Sequence, residues 1–157
     1  MSKKLLIIIA SVIVLIDQVT KFLASHFISS SGITLIKKVL YFTYVKNYGV
    51  AFNMLDNKRF IIILISIILL SLIYGYMKSF KNNKRNLLAF GFVYGGIIGN
   101  LIDRVILGYV RDFIDFKIIN FDYPVFNVAD SFIVIGVILI IIAIFRKEDS
   151  NEVPSKS

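Results

Sequence analysis

The stretch FNVADSFIVIGVILIIIAIF, residues 126–145, is a long apolar run with a single ionisable side chain, Asp130, near its start. An apolar run of about 18 or more residues predicts a transmembrane helix. A carboxylate in such a helix is costly and usually faces the interior of a bundle or a water-filled cavity. The stretch therefore predicts both a membrane span and a buried polar group at its head.

Three more apolar runs of similar length precede this one. The predicted spans are Leu5–Ala24, Phe60–Met77, Leu87–Leu107 and Val128–Phe145. The chain of 157 residues is 57% hydrophobic, and its mean hydropathy is +0.80, well above the usual composition of a soluble domain. We predict a mainly α integral membrane protein, in which four transmembrane helices form one membrane domain over residues 1–157.

The first span has some features of a secretory signal peptide. Its apolar run is long, however, it carries Asp17 and Lys21, and no small-residue cleavage site follows it. We interpret it as a retained first helix. At the other terminus, residues 146–157 are predicted to be a cytoplasmic tail, and its polar part EDSNEVPSKS, residues 148–157, is predicted to be disordered.

Four alternating spans place both termini on one side of the membrane. The basic residues expected on that side are Lys3, Lys4, Lys78, Lys81, Lys84, Arg85, Arg146 and Lys147. The positive-inside rule makes this side cytoplasmic, and the opposite loops also contain basic residues, so the rule favours this orientation without proving it. The net charge of +8 is attributed to juxtamembrane residues facing anionic lipid, not to nucleic-acid binding.

Composition excludes several kinds of site. The chain has no Cys, so disulfides, thiol nucleophiles and Cys-ligated metals are excluded. A single His, His26, excludes a His-rich metal site, and we assign this residue no role. We predict no metal and no cofactor.

Two segments outside the spans have the composition of strands. Ile33–Val45, within the long connection Ser25–Arg59, is rich in β-branched and aromatic residues, and Phe116–Phe126 alternates in a similar way. Both lie on the side opposite the termini, within predicted β-rich segments of about 25–59 and 108–127. We predict that they pair into a small extracytoplasmic sheet, with Pro124 ending the second piece.

Polar side chains near the membrane concentrate at that same side. Alternating helix direction brings together the late part of spans one and three and the early part of span four. The residues are Asp17, Lys21, Asn47, Asn100, Asp103, Arg104, Asp112, Asp115, Asn127 and Asp130. Asp17 and Lys21 are spaced i,i+4, so they can pair on one helix face. The sequence thus predicts one polar layer at the outer interface.

Simpler interpretations of these residues remain open at this point. Asp17 and Lys21 could form a purely structural ion pair, and Asp103-Arg104 could be a solvated end of span three. Asp130 could be a helix N-terminal acid favoured by the dipole, and Asp112 an exposed loop acid. Gly91, Gly95 and Gly99 recur every four residues, and this small-residue spacing favours close helix packing over direct chemistry.

Two carboxyl groups brought close together have a specific chemistry. They cannot easily both ionise, so they share one proton and titrate as a unit. The ionised member can take a proton from water, and the protonated member can donate to a scissile carbonyl. Asp130 is one candidate, while the sequence chemistry leaves Asp112 and Asp115 open as its partner.

At these residues the sequence resembles the lipoprotein signal peptidases, the type II signal peptidases of bacteria. The matching segments, in order, are DQVTK (Asp17–Lys21), NYGVAF (Asn47–Phe52), GGIIGNLIDR (Gly95–Arg104), VRDFIDF (Val110–Phe116) and FNVADS (Phe126–Ser131). Each segment alone is weakly diagnostic, but five in order at the ends of four spans are specific. Val50 and Ile97 depart from the pattern, where small alanines are expected.

The resemblance implies an aspartic endopeptidase of the bacterial cytoplasmic membrane. Its substrates would be prolipoproteins whose cysteine carries diacylglycerol, cut just before that cysteine near the outer face. The first aspartate of the Asp-Phe-Ile-Asp segment then makes Asp112 and Asp130 the catalytic pair. The supporting positions carried over are Asp17, Lys21, Asn47, Asn100, Asp103, Arg104 and Asn127. The implied fold has four helices, a small β cradle and a short lid-like helix, and we expect a monomer in contact with membrane lipid.

Two other functions are alternatives to this one. A small proton-coupled transporter would use ionisable residues in the membrane, but the charges gather at one interface and no repeat between halves is evident. A non-catalytic assembly factor is the third hypothesis. Proton flux without cleavage would favour the transporter, and complementation by Asp→Asn variants would favour the assembly factor.

Overall fold

The computed structural model describes residues 3–49, 58–118 and 121–147. The predicted disordered tail beyond residue 147, and Val50 to Phe52 of the second family segment, lie outside the described residues. The four predicted helices are confirmed, and each is long and apolar enough to cross a membrane. They are α1 (Lys3–Phe27), α2 (Arg59–Met77), α3 (Lys84–Ile106) and α4 (Val128–Phe145).

An asparagine marks where α3 begins, and a glycine follows its end. Asn83 is its N-cap, and the Asn83 side chain accepts a hydrogen bond from the Asn86 backbone N–H at 2.8 Å, which satisfies one of the free donors of the first turn. After the helix, Gly108 has φ +86°, a left-handed conformation that glycine adopts without a steric penalty. The chain can therefore turn sharply from α3 into the strand that follows.

Glycines on α3 bring α1 and α4 close to it. A Cβ on Gly91 would lie 2.6 Å from Ile9 of α1, and one on Gly95 would lie 2.7 Å from Ile13. On another face, a Cβ on Gly96 would lie 2.5 Å from the Ala129 carbonyl oxygen of α4. The predicted packing role of the small-residue pattern is confirmed, because no larger side chain fits at these contacts.

The sheet is antiparallel, with strand order β1-β2-β3-β4. Its strands are β1 (Ile33–Ile36), β2 (Leu40–Asn47), β3 (Val110–Ile118) and β4 (Phe121–Asp122). Strand formation in the first predicted segment is confirmed. In the second, β3 begins six residues before Phe116. The sequence pattern did not predict this first part of the strand, because its buried residues do not follow the simple alternation of a half-exposed strand. These residues are Val110, Asp112, Phe113 and Asp115.

The sheet lies at one end of the helix bundle, which we call the sheet end. There α1 ends, α2 begins, α3 ends and α4 begins. At the opposite end an apolar core joins the helices, formed by Met77, Phe80, Phe90 and Ala143. The described part of the bundle thus has an apolar core at one end, and its buried ionisable groups lie at the sheet end.

Candidate active site

Asp112 lies on β3 and is buried, with 2% of its surface exposed. Its Oδ2 accepts a hydrogen bond from the Asn47 side chain of β2 at 2.8 Å. Its Oδ1 accepts one from the Asn127 side chain at 2.6 Å. Both carboxylate oxygens are therefore held by amide groups from neighbouring elements, so the carboxyl orientation is set by tertiary contacts.

Asp130 lies in the first turn of α4 and is partly exposed. The Asn127 side chain accepts from the Asp130 backbone N–H at 3.0 Å, and Asp130 Oδ2 accepts from the Asn127 backbone N–H at 3.1 Å. This reciprocal pair is a capping box, which satisfies two free donors at the start of the helix. Asp130 Oδ1 accepts from the Asn100 side chain at 2.8 Å.

Two asparagines connect the two carboxylates. Asn127 binds Asp112 through its side chain and Asp130 through its backbone. Asn100 binds Asp130, and its side-chain oxygen accepts from Asn127 at 3.1 Å. Asp112 and Asp130 are therefore linked through one shared residue, Asn127.

The titration of Asp112 reflects this proximity. Burial, and then the negative charge of Asp130, raise the pKa of Asp112 to about 6, against the lowering effect of the hydrogen bonds from Asn47 and Asn127. A raised pKa is what two neighbouring carboxyls in a desolvated site produce, because ionising both is unfavourable. Asp112 can thus hold a proton under mildly acidic conditions while it lies beside a second carboxyl.

Behind this pair lies a buried ionic cluster. Lys21 Nζ lies 2.8 Å from Asp17 Oδ2 and 3.7 Å from Asp103 Oδ2, and all three side chains have 0% exposure. The predicted pairing of Asp17 with Lys21 is confirmed. Lys21 also donates to Asn100 at 2.8 Å, and Asp17 Oδ1 accepts from the Ala129 backbone N–H at 3.0 Å. The cluster therefore contacts the residue before Asp130 and the amide that binds Asp130.

Asp103 is not a solvated helix end, and that interpretation is wrong. Asp103 has 1% of its surface exposed and binds Arg111, whose backbone N and Nε donate to Asp103 Oδ2 at 3.0 and 3.1 Å. Arg111 Nη2 donates to Asp103 Oδ1 at 2.7 Å. The physical reason is that β3 folds back over the end of α3 and shields it from solvent. Asn100, the i−3 neighbour of Asp103, binds Asp130 instead.

Sequence reasoning assigned no role to Arg111 or Gln18. The Gln18 side chain donates to Asp103 Oδ1 at 3.1 Å and accepts from Arg111 Nη2 at 2.8 Å. One available signal was charge balance, because two buried acids with only Lys21 as partner require a second cation. We refer to Asp17, Lys21, Asp103 and Arg111 together as the ionic frame.

Arg104 and Asn47 meet at the chain that follows β2. Arg104 Nη2 donates to the Gly49 carbonyl oxygen at 2.9 Å, and the Gly49 backbone N–H donates to the Asn47 side-chain oxygen at 3.0 Å. Asn47 is thereby oriented so that its amide nitrogen faces Asp112. Arg104, which the sequence grouped with Asp103, therefore acts on a different part of the site.

Asp115, the alternative partner for Asp130, has other neighbours. Its Oδ2 accepts from the Thr43 hydroxyl at 3.2 Å, and Lys117 Nζ lies 3.3 Å from its Oδ1. The geometry therefore joins Asp130 to Asp112. Within the described ranges, no group of three or more His, Asp or Glu side chains could hold a metal ion.

A cavity of about 380 Å³ reaches Asp130 from the side of α4. Its wall is mainly apolar and comes from the sheet and from one face of α4. The lining residues are Phe116, Tyr123, Phe126, Asp130, Ser131, Val134 and Ile135. An apolar path thus leads along a membrane helix to one of the two carboxylates.

Four helices long enough to cross a membrane, with two carboxyl groups linked by hydrogen bonds at one end, place the chain among integral membrane proteins that carry a pair of acids at the end of a helix bundle. Comparison with known proteins specifies the class further. Residues 9–146 match the family described as Signal peptidase (SPase) II. The chain therefore belongs to the signal peptidase II family.

Individual relatives agree with this assignment. The chain is 47% identical to a lipoprotein signal peptidase of Caldanaerobacter subterraneus subsp. tengcongensis, covering 85% of this chain and 91% of that one. It is 41% identical to a lipoprotein signal peptidase of Staphylococcus aureus, covering 93% and 90%. A solved structure described as a bacterial membrane enzyme superposes with TM-score 0.82 at 36% identity, covering 99% of this chain and 96% of that one.

Proposed function

We propose that this protein removes signal peptides from lipid-modified prolipoproteins by cutting before the lipidated cysteine. One observation carries the proposal: Asp112 and Asp130, distant in sequence, are joined by hydrogen bonds through Asn127 and Asn100. The names of the relatives, lipoprotein signal peptidases, supply the class of substrate. Asp112 and Asp130 are the proposed catalytic residues.

In the proposed reaction the two carboxyls divide the work. Asp112, whose pKa is raised to about 6 by burial and by Asp130, holds the shared proton and donates a hydrogen bond to the scissile carbonyl. Ionised Asp130 takes a proton from water as the water oxygen attacks the carbonyl carbon. Collapse of the tetrahedral intermediate breaks the C–N bond. The leaving amine takes a proton from Asp130, and the proton balance of the pair is restored.

The asparagines and the ionic frame orient this pair. Asn47 and Asn127 hold both oxygens of Asp112, and Asn100 holds Asp130. Because the reacting groups must be positioned within a fraction of an ångström, such fixed contacts supply part of the rate enhancement. Lys21 supports Asn100 from behind at 2.8 Å.

The sheet end is proposed to face outward, with both termini in the cytoplasm. Basic residues cluster at the opposite end, where Lys3, Lys4, Lys78 and Lys81 are exposed, as the positive-inside rule requires. A substrate anchored in the outer leaflet by its lipid would then present its scissile bond at the depth of Asp130. The apolar cavity beside Asp130 is consistent with approach from the bilayer.

The test uses purified enzyme in liposomes with a diacylglyceryl-modified precursor and an unlipidated precursor. We expect cleavage of the first, and a loss of at least about 10³-fold in Asp112→Asn and in Asp130→Asn. Asp115→Asn is the matched control, since it removes an acid from the same strand without touching the pair. Full activity in Asp112→Asn or in Asp130→Asn would contradict the assignment. It would also be contradicted if Asp115→Asn were inactive while Asp112→Asn remained active.

A further inference from the structure

Arg111 is the residue before Asp112 on β3, so the two side chains leave opposite faces of the strand. The Asp112 side chain lies in the carboxylate pair, and the Arg111 side chain lies in the ionic frame. The Arg111 side chain has 13% exposure, and its Nη2 lies 2.7 Å from Asp103 Oδ1. The start of β3 therefore carries a catalytic candidate on one face and an anchor on the other.

The anchor is bidentate and attaches β3 to two helices. Arg111 donates to both oxygens of Asp103 on α3, from its side chain and its backbone. It also donates to Gln18 of α1 at 2.8 Å, and Gln18 in turn binds the Gly99 carbonyl of α3 at 3.1 Å. A planar guanidinium fork holds a carboxylate in one orientation, which a lysine ammonium cannot do.

Arg111 also balances the charge of the ionic frame. Asp17 and Asp103 carry two negative charges, and Lys21 supplies one positive charge to both. The Arg111 guanidinium supplies the second, and its hydrogen bond to Asp103 raises the pKa of Arg111 further. Without it the frame would hold one unpaired negative charge close to the carboxylate pair.

We propose that Arg111 is a positioning residue for the peptidase reaction, which locks the start of β3 onto Asp103 and so sets the placement of Asp112 relative to Asp130. The proposal rests on the function proposed above. Arg111 affects the position of Asp112 directly, because the two residues are adjacent on β3. It affects Asp130 through a chain of contacts that runs from Asp103 to Lys21, from Lys21 to Asn100 and from Asn100 to Asp130.

Three variants separate geometry from charge. Arg111→Met removes the anchor and its charge, Arg111→Lys keeps the charge and loses the fork, and Lys46→Met is the matched control. Lys46 is exposed and pairs with Arg111 across the strands, so its removal changes the net charge equally without touching the frame. Cleavage is measured per folded enzyme, with folding followed by circular dichroism and thermal unfolding.

We expect kcat to fall about 10- to 100-fold in Arg111→Met and about tenfold in Arg111→Lys, since misplacement by an ångström has effects of this size. KM should change by less than about twofold, because substrate binding is not altered. Lys46→Met should match the wild type. Wild-type kcat in Arg111→Lys would overturn the proposal, and this test stands even if Arg111→Met does not fold.

The pH profile distinguishes positioning from a merely structural role. The groups acting on Asp112 are Asp130 from α4, Lys21 from α1, Arg104 from α3, and the amides of Asn47 and Asn127. Arg111→Met leaves one unpaired negative charge in the ionic frame, so the falling limb of kcat should move to higher pH in this variant. Arg111→Lys should keep the wild-type limb. Equal loss at every pH in proportion to lost folded protein would overturn the proposal.

The two proposals fail in different ways. If the wild type does not cleave the lipidated precursor, or Asp112→Asn remains active, the proposed function fails. If the wild type cleaves, Asp112→Asn is inactive, and both Arg111 variants match Lys46→Met, only the role of Arg111 fails.

Discussion

Helices α2 and α3 are consecutive, and both are long and apolar enough to cross a membrane. They differ in how many of their residues are buried against the rest of the protein. Two of the 19 residues of α2 are buried, Ile62 and Met77, whereas twelve of the 23 residues of α3 are buried. α2 has apolar side chains on all sides, while α3 carries glycines and the polar residues Asn100 and Asp103. The apolar character of α2 is therefore enough to place a helix in the membrane, whereas the small and polar residues of α3 let a helix pack against the rest of the protein.

The physical reason lies in the solvent. Lipid tails are as apolar as leucine, so burying an apolar side chain against another helix gains little. Close backbone approach at glycines, and polar groups that need partners away from water, are what hold membrane helices together. α3 has both, so α1 and α4 pack against it and the sheet end is built around it.

The largest expected effect comes from breaking the ionic frame. Lys21→Met removes the ammonium that lies 2.8 Å from Asp17 and 3.7 Å from Asp103. Arg111 then balances only one of these two acids, so one buried negative charge is left uncompensated. Removing one partner of a buried ion pair costs about 3–5 kcal/mol. We expect a loss of that size in unfolding free energy in detergent, together with loss of cleavage.

Leu15→Met, on the exposed face of the same helix, is the control for that variant and should unfold like the wild type. If Lys21→Met were as stable as Leu15→Met, polar contacts would not be what holds the sheet end together.

The next prediction compares an alanine substitution at a glycine of α3 with one at a glycine of α2. A Cβ at Gly96 of α3 would lie 2.5 Å from the Ala129 carbonyl oxygen, beside Asp130. Gly96→Ala should therefore push α4 away, with a loss of about 1–3 kcal/mol in stability and a lower kcat. Thermal unfolding and cleavage assays on the same preparation measure both.

Gly75→Ala in α2 is its counterpart, because a Cβ there meets nothing within 4 Å. Removing a glycine from an exposed helix position should raise stability slightly, by about 0.5–1 kcal/mol. Equal effects of the two alanines would mean that α2 and α3 are packed alike.

The third effect is the pH dependence of the carboxylate pair. Helix α2 contains no carboxylate, so no such effect is expected there. Burial and the charge of Asp130 raise the pKa of Asp112 from 3.8 to about 6. Since Asp112 holds the proton in the proposed reaction, kcat should fall about tenfold per pH unit above that value. The folded state holds this proton more tightly than the unfolded chain. The stability that the proton contributes is therefore fully present below the unfolded pKa of 3.8, and it is lost as the pH rises through the folded pKa of about 6.

An infrared titration of the protonated carboxyl band measures the pKa directly. The band should titrate near pH 6 in the wild type, disappear in Asp112→Asn, and titrate at lower pH in Asp130→Asn, where the neighbouring charge is gone. An Asp112 band unaffected by Asp130→Asn would show that the two carboxyls do not interact.

The smallest effect is expected on the lipid-facing surface of α2. Leu64 is 58% exposed, so Leu64→Ala exchanges a lipid contact for another and should change the unfolding free energy by less than about 0.5 kcal/mol. A loss above about 2 kcal/mol in liposomes would indicate that this face packs against protein.

The sequence alone determined the four helices, the strands near Ile33–Val45, and the gathering of polar groups at one end. These follow from length, hydropathy and strand composition, which act locally and leave a clear pattern along the chain. The resemblance of the family segments also selected Asp112 as the partner of Asp130. Residue chemistry alone had left this choice open between Asp112 and Asp115.

Which polar side chains contact one another is visible only in the folded protein. Asp103 is buried because β3 folds over α3, and Arg111 pairs with it across a turn whose path depends on Gly108. Asn100 binds Asp130 rather than its own helix neighbour. Hydrogen bonds between distant elements depend on backbone placement to within an ångström, and neither spacing nor composition encodes that placement in a form that can be read one segment at a time.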